Sequence, residues 1–271
     1  VEKGGFLRRE DLAGHVTTIE EPITAEYRDH TICKCGPWTQ GPALCQAMRL
    51  LDGFDMKAMG AHSADAIHHA AEALKLAFAD RDAYYGDPQF AGVPLPALLS
   101  ERYTKLRRPL IDPQRASDVI RPGDPYRMES LATAGHSPPS PGGTTTCVIA
   151  DRWGNVVSAT PSANVPRDHD GGGSAGVTFG NRLRSLNTMA GHPNCIQPGK
   201  RPRITLTPTL VLKRGRPVMA ISVAGGDLQD QTALNLLLNA IDHGMRPAEA
   251  VTSPRFATDH HEDSFDPSSE R

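Results

Sequence analysis

The succession of strand-like and helix-like stretches predicts an α+β fold, two packed sheets flanked by helices. Three observations carry that prediction. An apolar run at 147–150, the turn Asp151-Arg152-Trp153-Gly154-Asn155 and a returning run at 156–160 read as a β-hairpin. Two β-rich runs, 206–212 and 217–223, flank Lys213-Arg214-Gly215-Arg216, a second hairpin signal. Helices are marked at 63–85, where Ile67, Ala70, Ala71, Leu74, Ala77 and Phe78 form one apolar face behind Ser63 as N-cap, and at 227–243, an apolar run that Gly244 closes.

The other elements follow in chain order. Residues 7–12 read as a short helix and 17–22 as an extended segment. The alternating run 27–35 reads as one strand ending at Gly36-Pro37. Leu44, Met48 and Leu51 sit at helical spacing within 41–52. Asp87-Pro88 closes the long helix, and 95–108 reads as a further helix whose basic tail (Arg102, Lys105, Arg107, Arg108) is expected to be solvated. Residues 112–141 are rich in Pro, Ser, Asp and Arg without a period, and are expected to be a mobile linker. A short strand is expected at 177–180, and one more helical turn at 247–251.

Composition sets outer bounds. A chain of 271 residues can bury one or two domain cores. A net charge of −2 gives no reason to expect nucleic acid or an anionic membrane surface, and no apolar run approaches the ~20 residues of a membrane span. The five cysteines are too scattered for a disulfide framework, and Cys33-x-Cys35 lacks the gap of a usual zinc or redox pair. His68 and His69 have no partner ligand at helical spacing, so a metal is not expected there. The triple glycine at 171–173 lacks the Lys-Ser/Thr that would make it a phosphate cradle. No cofactor is called for. Val1 is not an initiator methionine and no leader follows it, so localisation cannot be read.

The chemistry is centred on Gly142-Gly143-Thr144-Thr145-Thr146, between the linker and the first hairpin. Locally this is a linker entering a strand. A sharper reading is a self-cleaving chain cut before Thr144. The new terminal threonine then carries a hydroxyl nucleophile and, on the same residue, an amine of pKa about 7.7–8.0 that can take its proton. Gly225-Gly226, at the start of a helix, offers backbone N–H groups to a developing oxyanion.

The order of Thr144-Thr145, the Asp-x-x-Gly-Asn turn, Ser162-Ala163-Asn164, Pro198-Gly199-Lys200-Arg201-Pro202, Thr207-Pro208-Thr209-Leu210 and Ala224-Gly225-Gly226 resembles the small subunit of gamma-glutamyltranspeptidases. Lys3-Gly4-Gly5-Phe6-Leu7, Tyr27-Arg28, Ser63-Ala64-Asp65-Ala66 and Ala79-Asp80-Arg81 resemble the second half of the large subunit. The resemblance implies an N-terminal-nucleophile hydrolase: a partial four-layer α-β-β-α sandwich, lacking the first half of the large subunit. It divides the chain into a large-subunit-like segment, 1–143, and a catalytic small-subunit-like segment, 144–271, expected to stay associated after cleavage. It implies Thr144 as nucleophile, Ser162 as partner of its hydroxyl, Gly225 and Gly226 as the oxyanion site, and Asn164 as a substrate contact. Read locally, Ser162 and Asn164 are turn residues.

The family pattern breaks at the glutamyl-recognition end. In place of an Asn-x-Met-Asp-Asp-Phe run the chain has Asn181-Arg182-Leu183-Arg184-Ser185-Leu186, and in place of a Ser-Ser pair it has Ile204-Thr205. Thr205, Arg182, Arg184 and Asp227 are the residues left to recognise an acyl group. The expectation is a gamma-glutamyltranspeptidase-like amidohydrolase acting on glutathione or another small amide. An acylase on a non-glutamyl amide, and an unprocessed inactive member acting as a binding protein, are the alternatives.

Overall fold

The computed structural model describes residues 8–131, 144–162, 180 and 182–267. In chain order these form α1 (Arg9–Ala13), β1 (Ile23–Tyr27), β2 (His30–Lys34), α2 (Gly41–Leu51), α3 (Met56–Met59), α4 (Ala64–Tyr84), α5 (Leu95–Leu98) and α6 (Glu101–Arg107). Then come β3 (Gly123–Asp124), β4 (Glu129–Ser130), β5 (Cys147–Ala150), β6 (Val156–Ala159), β7 (Thr209–Lys213), β8 (Arg216–Ile221), α7 (Leu228–Ile241) and α8 (Pro247–Thr252).

The central sheet is antiparallel in the order β1-β2-β7-β8. Its middle pairing, Ile32 opposite Val211, joins strands on either side of the Gly143–Thr144 bond, so both predicted segments build one sheet. Strand alternation puts Tyr27, Ile32, Val211 and Ile221 on one face, where they pack with Leu44, Met48 and Leu51 of α2, Leu74 and Phe78 of α4, and Leu234 and Leu237 of α7. Each such side chain removed from water contributes roughly 1.5–3 kcal/mol. The opposite face, with Cys33 and Leu210, lines a groove of about 510 Å³ that Ser158 of the β5–β6 hairpin also borders. The hairpin therefore lies over the outer face of the sheet. Helices, sheet and second sheet stack in the order expected for an N-terminal-nucleophile hydrolase.

Several sequence-based expectations are corrected. The single strand at 27–35 is two strands, β1 and β2, with a tight turn between them at Arg28-Asp29. Arg28 takes φ 53, and its guanidinium is held by the carbonyls of Asp52 and Phe54 and by the carboxylates of Asp52 and Asp242. The helix at 95–108 breaks at Leu99, and Ser100 caps α6 through a bond from the Tyr103 amide. Its basic tail is not wholly solvated. Arg107 is buried, reaching Asp80 and the carbonyls of Leu76 and Arg121, and Arg108 donates to the carbonyls of Arg49 and Leu50. Part of the expected linker is packed. Gly123 donates its amide to Asp80, and Arg121 pairs with Glu72. Residues 132–141 of that stretch, and the strand expected at 177–180 except for Gly180, lie outside the described residues.

The cap expected at Ser63 holds. Ser63 caps α4 by accepting from the Ala66 amide at 3.0 Å. The imidazoles of His68 and His69 meet the backbone carbonyls of Asp112 and Asp65. The second half of α4 is buried almost all round, so its charged residues Asp80 and Arg81 need partners in the core. Among the described residues no helix is long and apolar enough to cross a membrane.

Candidate active site

The first hairpin is built locally. Asp151 accepts from the amides of Trp153 and Asn155 and from the Asn155 side chain, and Gly154 turns the chain at φ 87. The resulting register, Cys147 opposite Ala159, continues past the strands through a bond from the Thr145 amide to the Pro161 carbonyl. Extended by one residue it sets Thr144 opposite Ser162.

A row of hydroxyls fastens this hairpin to the sheet. Ser158 donates to the Ile221 carbonyl at 2.7 Å. Thr160 meets Ser222, which itself donates to the Ala159 carbonyl. Ser158, Thr160 and Ser162 alternate onto one face, so the row advances along β6 as the other chain leaves β8. The end carrying Thr144 and Ser162 is thereby directed toward the residues after Ser222, which are Val223, Ala224, Gly225 and Gly226.

Gly225 and Gly226 have φ of 121 and 60, a left-handed course that favours glycine. Their carbonyls accept from the amides of Leu228 and Gln229 and so start α7. Among the described residues neither glycine amide is donated to a protein acceptor. Two unspent N–H groups at the positive end of a 14-residue helix are an arrangement of the kind that attracts negative charge.

Around this turn the structure gathers three further predicted residues and one that was not foreseen. Arg182 donates to the Ser162 hydroxyl at 2.7 Å. The guanidiniums of Arg182 and Arg184 each lie 5.3 Å from the centre of the Phe265 ring, and Arg184 also donates to the Phe265 carbonyl. The ring packs against Gly226 so closely that a Cβ there would sit 2.8 Å from it. Ser162, Arg182, Arg184, Phe265 and Gly226 thus form one connected cluster. Burial, with Arg184 adding to it, weakens proton binding by Arg182. Two of its donors, Nε and Nη1, are buried without a partner among the described residues. Phe265 lies in a stretch with no period, and only its aromatic character could have singled it out.

Other expected site residues are placed differently. Asn164 lies outside the described residues, as do Gly143 and Asn181. Thr205 is buried, and its hydroxyl has no partner among the described residues. Asp227 does not face the cluster as a free acid. It is 7% exposed, and its carboxylate accepts from Arg81 and from the amide and hydroxyl of Ser264. Burial alone would raise its pKa, but Arg81, His261 and the Ser264 bonds bring it down to about 2. Among the described residues no group of three or more His, Cys, Asp or Glu side chains could hold a metal ion.

The family model for gamma-glutamyltranspeptidase matches residues 1–268. The chain belongs to the gamma-glutamyltranspeptidase family. The glutathione hydrolase proenzyme of Pseudomonas sp. (strain A14) is 34% identical over 270 residues, covering 93% of this chain and 44% of the relative. The acylase ACY 1 proenzyme of Pseudomonas sp. (strain SE83) is also 34% identical, over 94% of this chain and 44% of its own length. Among solved structures, LmbA2991HD superposes with a TM-score of 0.83 at 37% identity, over 98% of this chain and 47% of that one. A cephalosporin acylase from Bacillus halodurans superposes with a TM-score of 0.75 at 28% identity, over 94% and 44%. The chain thus spans somewhat under half the length of the relatives it matches. The family includes glutathione hydrolases and acylases, and the fold is that of its N-terminal-nucleophile hydrolases.

Proposed function

We propose that this chain carries the catalytic centre of a self-processing N-terminal-threonine amidohydrolase. The observation that carries the reading is the hairpin register. It sets Thr144 opposite Ser162, on the end of the hairpin directed at the Gly225-Gly226 turn. The bond between Gly143 and Thr144 is cut, leaving residues 1–143 and 144–271 associated through the shared sheet. The free Thr144 amine takes the proton of its own hydroxyl, and the oxygen attacks the amide carbonyl. The tetrahedral oxyanion is held by the Gly225 and Gly226 amides. The C–N bond breaks, the leaving amine receives the proton, and an ester to Thr144 remains. Water then attacks the ester, regenerating the hydroxyl and releasing the acid. Ser162 orients the nucleophile, and Asn164 contacts the acyl group.

The substrate is a small amide, of gamma-glutamyl type as in glutathione or of a related acyl type. Arg182 and Arg184 favour an acyl group that presents a carboxylate and lacks an α-ammonium. A half-buried guanidinium whose Nε and Nη1 are buried without a partner among the described residues is costly until an anion meets it, whereas an ammonium beside it is repelled. The occurrence of acylases among the relatives supports this second class.

Mass spectrometry of the purified protein tests the first step. A fragment beginning at Thr144 is expected, and is expected to be missing in Thr144→Ala. A fragment beginning at Thr145 or Thr146 moves the nucleophile, and an intact chain in active protein removes the mechanism.

A further inference from the structure

We propose that Arg81 and Asp227 are positioning residues that set the Gly225-Gly226 turn in its oxyanion-binding geometry. The inference rests on the reading of that turn given above, and assigns to Asp227 a role other than substrate contact. Asp227 directly follows Gly226, yet it does not cap the helix it begins; no side-chain capping bond forms there. It points instead into the core, where Arg81 of α4 donates to its Oδ1. Ser264 holds both oxygens, through its hydroxyl at 2.7 Å and its amide at 3.0 Å.

Arg81 is fixed in turn on every side. Its Nε donates to Asp82, Nη1 to the Gln40 carbonyl oxygen Oε1 at 2.8 Å, and Nη2 to the Glu262 carbonyl at 2.9 Å. Gln40 closes the circuit by donating its Nε2 to the Gly226 carbonyl at 3.4 Å. The second glycine is therefore gripped at its carbonyl and through its neighbour's carboxylate, and both grips lead to one guanidinium. The Phe265 ring occupies the side on which a Cβ of Gly226 would stand and so limits the turn from a third direction. The two glycine amides owe their aim to this circuit, because nothing among the described residues bonds them directly.

A purely structural ion pair and a positioning pair differ in what they move. A displacement of about 1 Å at a reacting centre costs on the order of 10²-fold in rate, and a group acting only on the transition state lowers kcat without raising KM. Asp227→Asn, which keeps the shape and one acceptor, and Arg81→Lys, which keeps the charge and loses the fork, are expected to lower kcat about 10²-fold with KM within about twofold. The probe is whichever of gamma-glutamyl and glutaryl p-nitroanilide the wild type hydrolyses better. Arg121→Gln removes a partly buried ion pair with Glu72 that touches none of the turn residues, and serves as the control. Its kcat is expected to stay at the wild-type value despite a similar loss in Tm.

Spectra of protein labelled with ¹⁵N-glycine read the turn directly. Both variants of the pair are expected to shift the Gly225 and Gly226 amides and speed their hydrogen exchange at least tenfold, and Arg121→Gln is not. If the wild type hydrolyses neither anilide, the functional reading fails while the glycine spectra still decide the positioning role. Unchanged kcat, or unchanged glycine spectra, in a folded Asp227→Asn overturns the proposal. Should both variants fail to fold, Gln40→Met removes the carbonyl grip and one acceptor of Arg81 while leaving the Arg81–Asp227 pair in place, and is judged by the same readouts.

Discussion

Gly226→Ala isolates the contact that ties the turn to the C-terminal segment. Two terms act at this position. A Cβ at φ 60 strains the backbone by roughly 1–2 kcal/mol. It would also lie 2.8 Å from Cε2 of Phe265, whose ring is 6% exposed and is flanked by two guanidiniums, so the ring has little room to yield. Overpacking of that kind costs roughly 1–3 kcal/mol. The sum is about 2–5 kcal/mol. Gly244 supplies the reference, because it has nearly the same φ, 65, and nothing within 4 Å of its ideal Cβ. Gly244→Ala is therefore expected to cost the strain alone, about 1–2 kcal/mol. Urea unfolding followed by circular dichroism measures both at equal slope. The excess at Gly226 is expected to vanish in the double variant Gly226→Ala/Phe265→Leu, where the smaller side chain vacates the space. If Gly226→Ala costs no more than Gly244→Ala, Phe265 does not pack on the turn and the account of how the turn is held fails.

Other outcomes follow from the same geometry. Thr144→Ser is expected to retain some processing and turnover because it keeps hydroxyl and amine, and Thr144→Ala to lose both; normal maturation of Thr144→Ala excludes it as nucleophile. Gly225→Val is expected to lower kcat by about 10²–10³, the usual cost of one oxyanion donor, although its Cβ would meet Leu228 only at ordinary contact distance. Comparison of kcat/KM for gamma-glutamyl and glutaryl anilides is expected to favour glutaryl, with the preference reduced in Arg184→Gln; a clear gamma-glutamyl preference returns the protein to ordinary glutamyl recognition. The Asp227 carboxyl, held at about 2 against an ordinary value near 3.9, contributes stability above pH ~4 that is lost as pH falls toward 2. The stability gap between wild type and Asp227→Asn, on the order of 2 kcal/mol, is accordingly expected to close between pH 4 and pH 2 in urea titrations.

The parts legible in the sequence are those whose causes are local. The Asp151 turn bonds to its own next four residues, and Ser63 bonds three residues on, so both announce themselves in a short window. What escaped detection has distant causes. The turn at Arg28-Asp29 lacks glycine and proline, and Arg28 tolerates its left-handed φ because Asp52, Phe54 and Asp242 hold the guanidinium. Arg107 sits in what reads as a solvated basic tail, yet Asp80, far earlier in the chain, draws it into the core. Residues 112–131 have a linker's composition but are fastened by Glu72 and Asp80 of α4. A buried charge is a statement about its partner, and the partner is not in the window.

Asp227 shows the same limit within the site. Its place next to the glycine pair suggested substrate recognition, since an acid beside an oxyanion turn is close to any acyl group bound there. The chain instead buries that carboxylate and sets it on a guanidinium 146 residues earlier. On the proposed mechanism, an uncompensated carboxylate near the turn would oppose a developing oxyanion, and pairing it with Arg81 in the core removes that opposition. Among the described residues, Arg182 and Arg184 bring positive side chains to the cluster at the turn, and each guanidinium lies over the Phe265 ring. The electrostatic character of the surroundings of the turn therefore follows from which charges are hidden as much as from which are displayed. Replacing Arg81 would expose that hidden negative charge to the turn, and replacing Arg182 would remove the anion's partner. The first change is expected to act on kcat and the second on KM, a split that a single set of steady-state curves can resolve.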